Sequence, residues 1–290
     1  MTEINTGQTE HIDMLKDFLG EERIKNIICL ESTGSTNLFL KDLSKDSATQ
    51  GTVVIADEQT KGRGRLGRSF ESPKDKGLYM SYLMKPKVSA ENAVRITAWT
   101  AVAVCNAVKT VCKADPGIKW VNDLILSGKK FCGILCEMSL GEKKGQISDV
   151  IAGIGINVNG DINDLSEDIR YKATSLKAET GRAQDRIRLA AEIIKELDSM
   201  CLRSSGKTED YLKAYKKYSI MQDKEVYVRK TEAIRGDNDL IRDPGKDDLL
   251  KHAHVIGIND DFSLLVRYDD GSTESLDSGE VSIRGMHGYI

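Results

Sequence analysis

Apolar positions in the first half of the chain fall into short, nearly unbroken runs separated by turn-rich polar stretches. Residues 26–31, 52–57 and 78–84 have the length and apolar density of strands buried on both faces. Ahead of them lies a weak helical spacing at Ile12, Leu15, Phe18 and Leu19. Residues 90–112 read as a long helix, apolar almost all round, which belongs against a sheet rather than on the surface. Residues 118–126 and 129–138 read as two strands joined by Ser127-Gly128, a two-residue link of the kind hairpins favour. A turn at 141–145 leads to a strand at 149–157 (DVIAGIGIN), where Gly153 and Gly155 clear one face for a ligand or another backbone. Residues 160–182 are polar and irregular, 186–203 form an amphipathic helix, and 209–218 continue helical.

Beyond residue 219 the pattern changes to short strands at 225–228, 264–268 and 280–283. Residues 229–251 are charged and rich in Gly, Asp and Asn, as in an extended loop. The predicted organisation is therefore an N-terminal extension (1–24), an α/β main domain (25–218) and a small β-barrel domain (219–290). The extension is too short for a helix-turn-helix unit of three packed helices.

Composition narrows the class without naming it. Hydrophobic residues make up 40% and charged residues 30% of the 290 positions, as in ordinary globular proteins. A net charge of -3 argues against bulk nucleic-acid affinity. No apolar run approaches the roughly 18–20 residues that cross a bilayer, and the N-terminus lacks the pattern of a secretory signal. The expectation is a cytoplasmic protein without membrane contact. The six cysteines form no CxxC pair and the four histidines are scattered, which suits reduced thiols better than disulfides or zinc. No side-chain metal-ligand set is expected.

Against this background, residues 61–68 (KGRGRLGR) stand out, with four cations, three glycines and no acid in eight positions. Arginine meets phosphate or carboxylate oxygens two at a time, and glycine leaves the backbone free to turn. The expectation is a mobile cationic ribbon that closes over an anionic substrate. The stretch formally matches GxGxxG after a strand, but residues 68–77 (RSFESPKDKG) cannot open a helix. No acidic residue follows about 20 positions on, and no GxxxxGK[ST] is present. The dinucleotide and P-loop readings fail on that context. The turn 32–37 (STGSTN) offers Ser35 or Thr36 as a helix N-cap. The hairpin carries Lys119, Asn122, Asp123 and Lys130 among apolar residues, and lysine is rarely buried without a partner. On the residues alone, capping hydroxyls and a solvated hairpin remain open alternatives to binding roles.

Taken together, GRGRLGR, KWVNDLIL-SGKKFCGILCE, GIGIN, ATSL at 173–176 and GEVSIR at 279–284 resemble the biotin protein ligases, in order and in spacing. The resemblance runs from about Ile27 to Arg284, and its first two motifs are highly specific. It implies a class II aminoacyl-tRNA synthetase-like catalytic domain, α/β (α+β) in class, followed by an SH3-like β-barrel. It implies a two-step reaction: biotin and ATP, with Mg2+, give biotinyl-5'-AMP, and the acyl group then passes to one lysine of a biotin carboxyl carrier domain. Stabilisation of transferring oxygens by fixed cations and amides fits that chemistry, with no covalent nucleophile on the enzyme.

By the same resemblance, Arg63, Arg65 and Arg68 belong to the loop that orders over biotin and the adenylate. Ser35, Thr36 and Gln59 match positions at the biotin head group, with backbone contacts from Gly62 and Gly133. Lys130 matches the lysine that reaches the biotin carboxylate and phosphate. Asn122, Asn157 and Gly155 match the nucleotide side, and Asp123 is a candidate for orienting or deprotonating the carrier lysine. Two departures are visible: Val121 replaces the usual proline of KWPND, and Phe70 stands where tryptophan is common. The implied partner is the carrier protein, with no DNA; a homodimer is left open. A lipoate or octanoyl transferase would carry an RRxSGGG-like signature, which this chain lacks, and a non-enzymatic biotin sensor would have no need of Lys130 with the arginine loop.

Overall fold

The computed structural model describes residues 6–46, 48–86, 93–141, 147–164, 166–203, 208–230, 250–277 and 281–285. Seven strands make the central sheet: β1 (Ile27–Thr33), β2 (Val53–Gln59), β3 (Gly77–Met84), β4 (Gly117–Lys119), β5 (Asp123–Leu126), β6 (Lys129–Leu140) and β7 (Ile147–Asn157). Their order is β1-β2-β3-β7-β6-β5-β4. Only β1 and β2 run parallel; the other neighbours pair antiparallel.

Period-two alternation sorts the side chains of the middle strands onto two faces. Leu78, Met80, Tyr82 and Met84 of β3, with Val150, Ala152, Ile154 and Ile156 of β7, join the main core. Helices α1 (Thr6–Leu19), α4 (Ala93–Cys112) and α7 (Arg186–Arg203) pack on that side. Leu15, one of the four weakly periodic positions near the N-terminus, is fully buried there. The opposite face is covered by α3 (Thr36–Asp46) over a smaller apolar cluster of Leu40, Ala48, Val54, Leu83 and Ile151. A short α2 (Glu21–Ile24) follows α1, while α5 (Glu167–Arg170) and α6 (Leu176–Thr180) order parts of a stretch expected to be irregular.

The predicted strand 118–126 is in fact two strands. A turn at 120–122, with a cis Trp120–Val121 peptide, reverses the chain, so that β4 pairs antiparallel with β5. Both halves are apolar and buried, so periodicity could not reveal the break. Trp120 Nε1 donates to the carbonyl of Phe262 at 2.9 Å. Tyr215 of α8 (Thr208–Tyr218) meets the Phe262 ring edge-on at 5.6 Å between centroids.

These contacts seat a five-stranded antiparallel sheet behind the turn. It comprises β8 (Glu225–Lys230), β9 (Leu250–Ile258), β10 (Leu264–Tyr268), β11 (Thr273–Leu276) and β12 (Val281–Gly285), in the order β11-β10-β9-β8-β12. The sequence pattern found β8, β10 and β12 but not β9 or β11. Among the described residues β11 and β12 are the sheet's two edges and do not pair with each other. Residues 231–249, most of the charged loop, lie outside the described part. No described helix is long and apolar enough to cross a membrane.

Candidate active site

The α3 face of the sheet holds a cleft lined by Ser35, Thr36, Gln59, Arg63, Arg65 and Asn122 from loops and strand ends. Lys130 and Gly133 of β6 and Gly153 and Gly155 of β7 complete its floor and wall. It gathers nine of the thirteen residues expected to bind or act. Gly62, Arg68, Asp123 and Asn157 do not line it.

The hydroxyl-rich turn serves the cleft rather than only capping a helix. Thr36, the first residue of α3, donates both its N–H and its hydroxyl to Gln59 Oε1, at 3.0 and 3.1 Å. Gln59 Nε2 in turn donates to Ser72 Oγ at 3.0 Å, and Ser72 Oγ donates to the Phe70 carbonyl at 3.0 Å. Thr36 and Ser35 are each 3% exposed, so their polar groups face the cleft or a fixed partner rather than bulk water.

Residues 63–69 form a miniature hairpin. Arg63 bridges Ser69 antiparallel, and Gly64 N–H reaches the Arg68 carbonyl at 2.7 Å. Its tip, Leu66-Gly67, is left-handed at both positions (φ 56° and 76°), as in turns that match strand twist. Gly62 secures the base, accepting from Phe70 N–H at 3.0 Å. A Cβ at Gly62 would collide with the Phe70 carbonyl and the Ser72 hydroxyl. Its role seen here is thus to let two backbones meet.

From this hairpin Arg63 Nη1 reaches both oxygens of Glu137, at 2.9 and 3.2 Å. Arg65 Nη1 donates to Asn122 Oδ1 at 3.0 Å. Burial pulls the Arg65 guanidinium below its ordinary range, against the opposing influence of Asp123 nearby. Arginine nevertheless stays charged at neutral pH, so a cation waits in a poorly hydrated place. Asn122 is held by Ile134 on both sides, donating to its carbonyl and accepting from its N–H.

Lys130 is placed by its backbone as well as its side chain. Its N–H donates to the Lys172 carbonyl and its own carbonyl accepts from Thr174 N–H, a parallel bridge to the ATSL segment. Its ammonium lies 2.6 Å from Asp123 Oδ1. A Cβ on Gly133 would stand 3.1 Å from Lys130 Nζ, so glycine there leaves the ammonium room. Asn157 donates to the Thr174 carbonyl at 3.1 Å and lines a separate hollow with Lys76, Tyr79 and Asp161.

The paired glycines of β6 and β7 make a flat floor. Gly133 stands opposite Gly155 in the ladder, and Phe70 lies across both: a Cβ on Gly155 would come within 2.7 Å of the ring. A Cβ on Gly153 would strike the carboxamide of Asn37. Side chains, not a second backbone, use the cleared face.

Three residues of this site carried no assigned role in the sequence reading: Asn37, Ser81 and Glu137. Asn37 Nδ2 donates to Glu137 Oε2 at 2.9 Å and to the Leu135 carbonyl at 3.2 Å. Ser81, fully buried, lies 2.6 Å from Asn37 Oδ1 and 2.8 Å from Thr36 Oγ1. The available signals were a lone hydroxyl in the apolar run of β3 and an acid closing that of β6.

The cleft brings together a hydroxyl–amide pair, two arginines and an ammonium, groups suited to a ligand that carries both a neutral polar group and an anionic one. The Biotin/lipoate A/B protein ligase family model matches residues 29–157, the segment holding almost all of these groups. The chain is similar to the bifunctional ligase/repressor BirA of Bacillus subtilis, 35% identical over 170 residues, which are 59% of this chain and 52% of that protein. It is also similar to the biotin--[acetyl-CoA-carboxylase] ligase of Paracoccus denitrificans, 35% identical over 159 residues, 54% of this chain and 65% of that one. The match thus spans about half the length of the Bacillus relative. Among solved structures, the biotin protein ligase from Aquifex aeolicus in complex with biotin and ATP superimposes with a TM-score of 0.71 at 27% identity, covering 90% of this chain and 99% of that one. Residues 29–157 of the chain therefore carry a Biotin/lipoate A/B protein ligase family domain.

Proposed function

We propose that this protein is an ATP-dependent biotin ligase, which makes biotinyl-5'-AMP and passes the biotinyl group to a lysine of a carboxylase carrier domain. The observation that carries this reading is the convergence of Arg63, Arg65 and Lys130 on one cleft that the Thr36–Gln59 pair also lines.

In the first step a carboxylate oxygen of biotin attacks the α-phosphorus of ATP, and the bond to the β-phosphate oxygen breaks to release pyrophosphate. Two anions must approach, and negative charge builds on the transferring oxygens. The Lys130 ammonium, aimed by Asp123, and the Arg65 guanidinium, aimed by Asn122, offset that charge where little water can screen it. Thr36 and Gln59 hold the head group. In the second step the carrier amine attacks the acyl carbon, the acyl–phosphate bond breaks with its electron pair going to the departing AMP, and the amine gives up its proton to solvent. Asp123 is already engaged by Lys130, so its role here is to hold that cation, in place of deprotonating the carrier lysine.

Among the described residues no group of three or more His, Cys, Asp or Glu side chains forms a metal cage. Near the cleft, Asp123 and Glu137 are each already paired with a cation. Magnesium therefore enters this reading as an ion carried in by the nucleotide phosphates. Arg68, Gly62 and Asn157 do not line the cleft in this structure; Gly62 lets the base of the hairpin close, and Asn157 braces the Thr174 segment. We place the reaction in the cytoplasm, with all six thiols free.

The test is biotin-dependent ATP–pyrophosphate exchange, followed by transfer of biotin to a carrier domain read with streptavidin. Exchange with biotin and none with lipoate supports the assignment; the reverse preference would move the protein to the lipoate branch of the family.

A further inference from the structure

The ion pair of Arg63 with Glu137 joins the cationic hairpin to an acid 74 positions away on β6, and that acid is not loose. Its Oε2 accepts from Asn37 Nδ2 at 2.9 Å, while Asn37 is 4% exposed and packed flat over Gly153. The Asn37 carboxamide is fixed at both ends, by the Leu135 carbonyl on one side and by the buried hydroxyl of Ser81 on the other. Ser81 also lies 2.8 Å from Thr36 Oγ1, whose hydroxyl donates to Gln59. A continuous polar path therefore runs from the Thr36–Gln59 pair through Ser81, Asn37 and Glu137 to the Arg63 guanidinium.

We propose that Glu137 is the positioning residue of the hairpin: held by Asn37, it grips Arg63 and aims it at the acyl-phosphate junction. The inference rests on the biotin-ligase reading for what Arg63 faces, but the Arg63–Glu137 link itself does not. The charge on Glu137 matters because Arg63 is 43% exposed and would otherwise sample many rotamers. An exposed pair of this kind contributes little to folding. Its consequence lies in where the arginine stands when ligand arrives.

The experiment compares the full chain with Glu137→Gln and Glu137→Asp. Glutamine keeps an acceptor for Asn37 but loses the charge, whereas aspartate keeps the charge at shorter reach. Two readouts apply: the rate at which bound biotinyl-adenylate is lost after a single turnover, and the rate of tryptic cleavage after Arg63 in the free protein. Glu137→Gln is expected to lose adenylate about five- to tenfold faster, the equivalent of roughly 1–1.4 kcal/mol, with an unchanged melting temperature and faster cleavage at Arg63. Glu137→Asp is expected to fall between it and the parent. Parent-like behaviour of Glu137→Gln in both readouts would overturn the proposal. So would slower adenylate loss, which would make Glu137 a competitor for Arg63 instead of its guide. Should Glu137→Gln fail to fold, Ser81→Ala decides through Asn37: faster adenylate loss supports the relay, and parent-like loss overturns it. If the parent itself shows no biotin-dependent exchange, the ligase reading fails, and the tryptic arm still judges the link between the two residues.

Discussion

Lys130 Nζ and Asp123 Oδ1 lie 2.6 Å apart across the β5–β6 hairpin, with side chains 28% and 18% exposed. The pair turns two residues that read as a solvated hairpin's charges into a directed cation. Lys130→Ala should cut pyrophosphate exchange by about 10²–10³-fold, the scale seen when one fixed stabiliser of developing charge is removed. Asp123→Asn leaves the cation but not its aim, so a smaller fall, about tenfold, is expected in the same assay. Equal losses in both variants would mean that Asp123 acts directly on a substrate.

Phe70 lies across the glycine floor, so its fit can be tested from either partner. Gly155→Ala places a methyl carbon 2.7 Å from the ring, and such overpacking costs about 1–3 kcal/mol. Phe70→Ala opens space and costs stability of its own. The double variant should be more stable than the sum of the two singles implies, by at least ~0.5 kcal/mol in denaturant titration, because the clash requires both residues.

Ligand should change the accessibility of the arginine hairpin. Arg63 and Arg68 are exposed in this structure, and Arg65 is half-buried. Trypsin is expected to cut within residues 63–68, more slowly with biotin, and slowest with biotin and ATP together, as closure shields a hydrolysable anhydride. Cleavage at one unchanged rate under all three conditions would contradict a closing flap.

The thiols should be quiet in the native protein. Burial pushes Cys29 up to about 12, and it pushes Cys112 and Cys136 up to about 11. Only the thiolate reacts, so at pH 8 the deprotonated fraction is small and its access is poor. Iodoacetamide at that pH should spare Cys29 and Cys112 until denaturant is added, as peptide mass mapping would show.

The C-terminal sheet supports the site from behind. Phe262 is fully buried, meets Tyr215 edge-on and accepts from the Trp120 indole, one turn away from Asn122 and Asp123. Phe262→Ala should lower stability by about 3–5 kcal/mol in urea titration. If the sheet only decorates the main domain, the substitution would instead leave the unfolding midpoint nearly unchanged.

The arginine loop was legible from its residues, being a run of charges with no structural need in a loop. Binding roles for Gln59, the Ser35–Thr36 turn and Lys130 came only from the resemblance to biotin protein ligases, because capping hydroxyls and a solvated hairpin would give the same local pattern. Helix α7 was legible to its end residues, since its apolar stripe faces one layer only. The break at 120–122 was not, because both arms of the turn are buried and read as one apolar run. Strands β9 and β11 were missed for the opposite reason. Much of each is half-exposed, and the polar residues on their open faces dilute the alternation.

Residue chemistry by itself therefore determined which groups this protein has available and roughly where its strands and helices run. Tertiary structure decided which groups meet. Strands β3, β6 and β7 are near-continuous apolar runs, so nothing in their composition says that Ser81, Gly133, Glu137 and Gly153 share a face. That follows from a register in which Gly133 opposes Gly155 and Ser81 opposes Gly153. A shift of a single residue in that register would turn each of these groups toward the helices and bury the acid where no arginine could reach it.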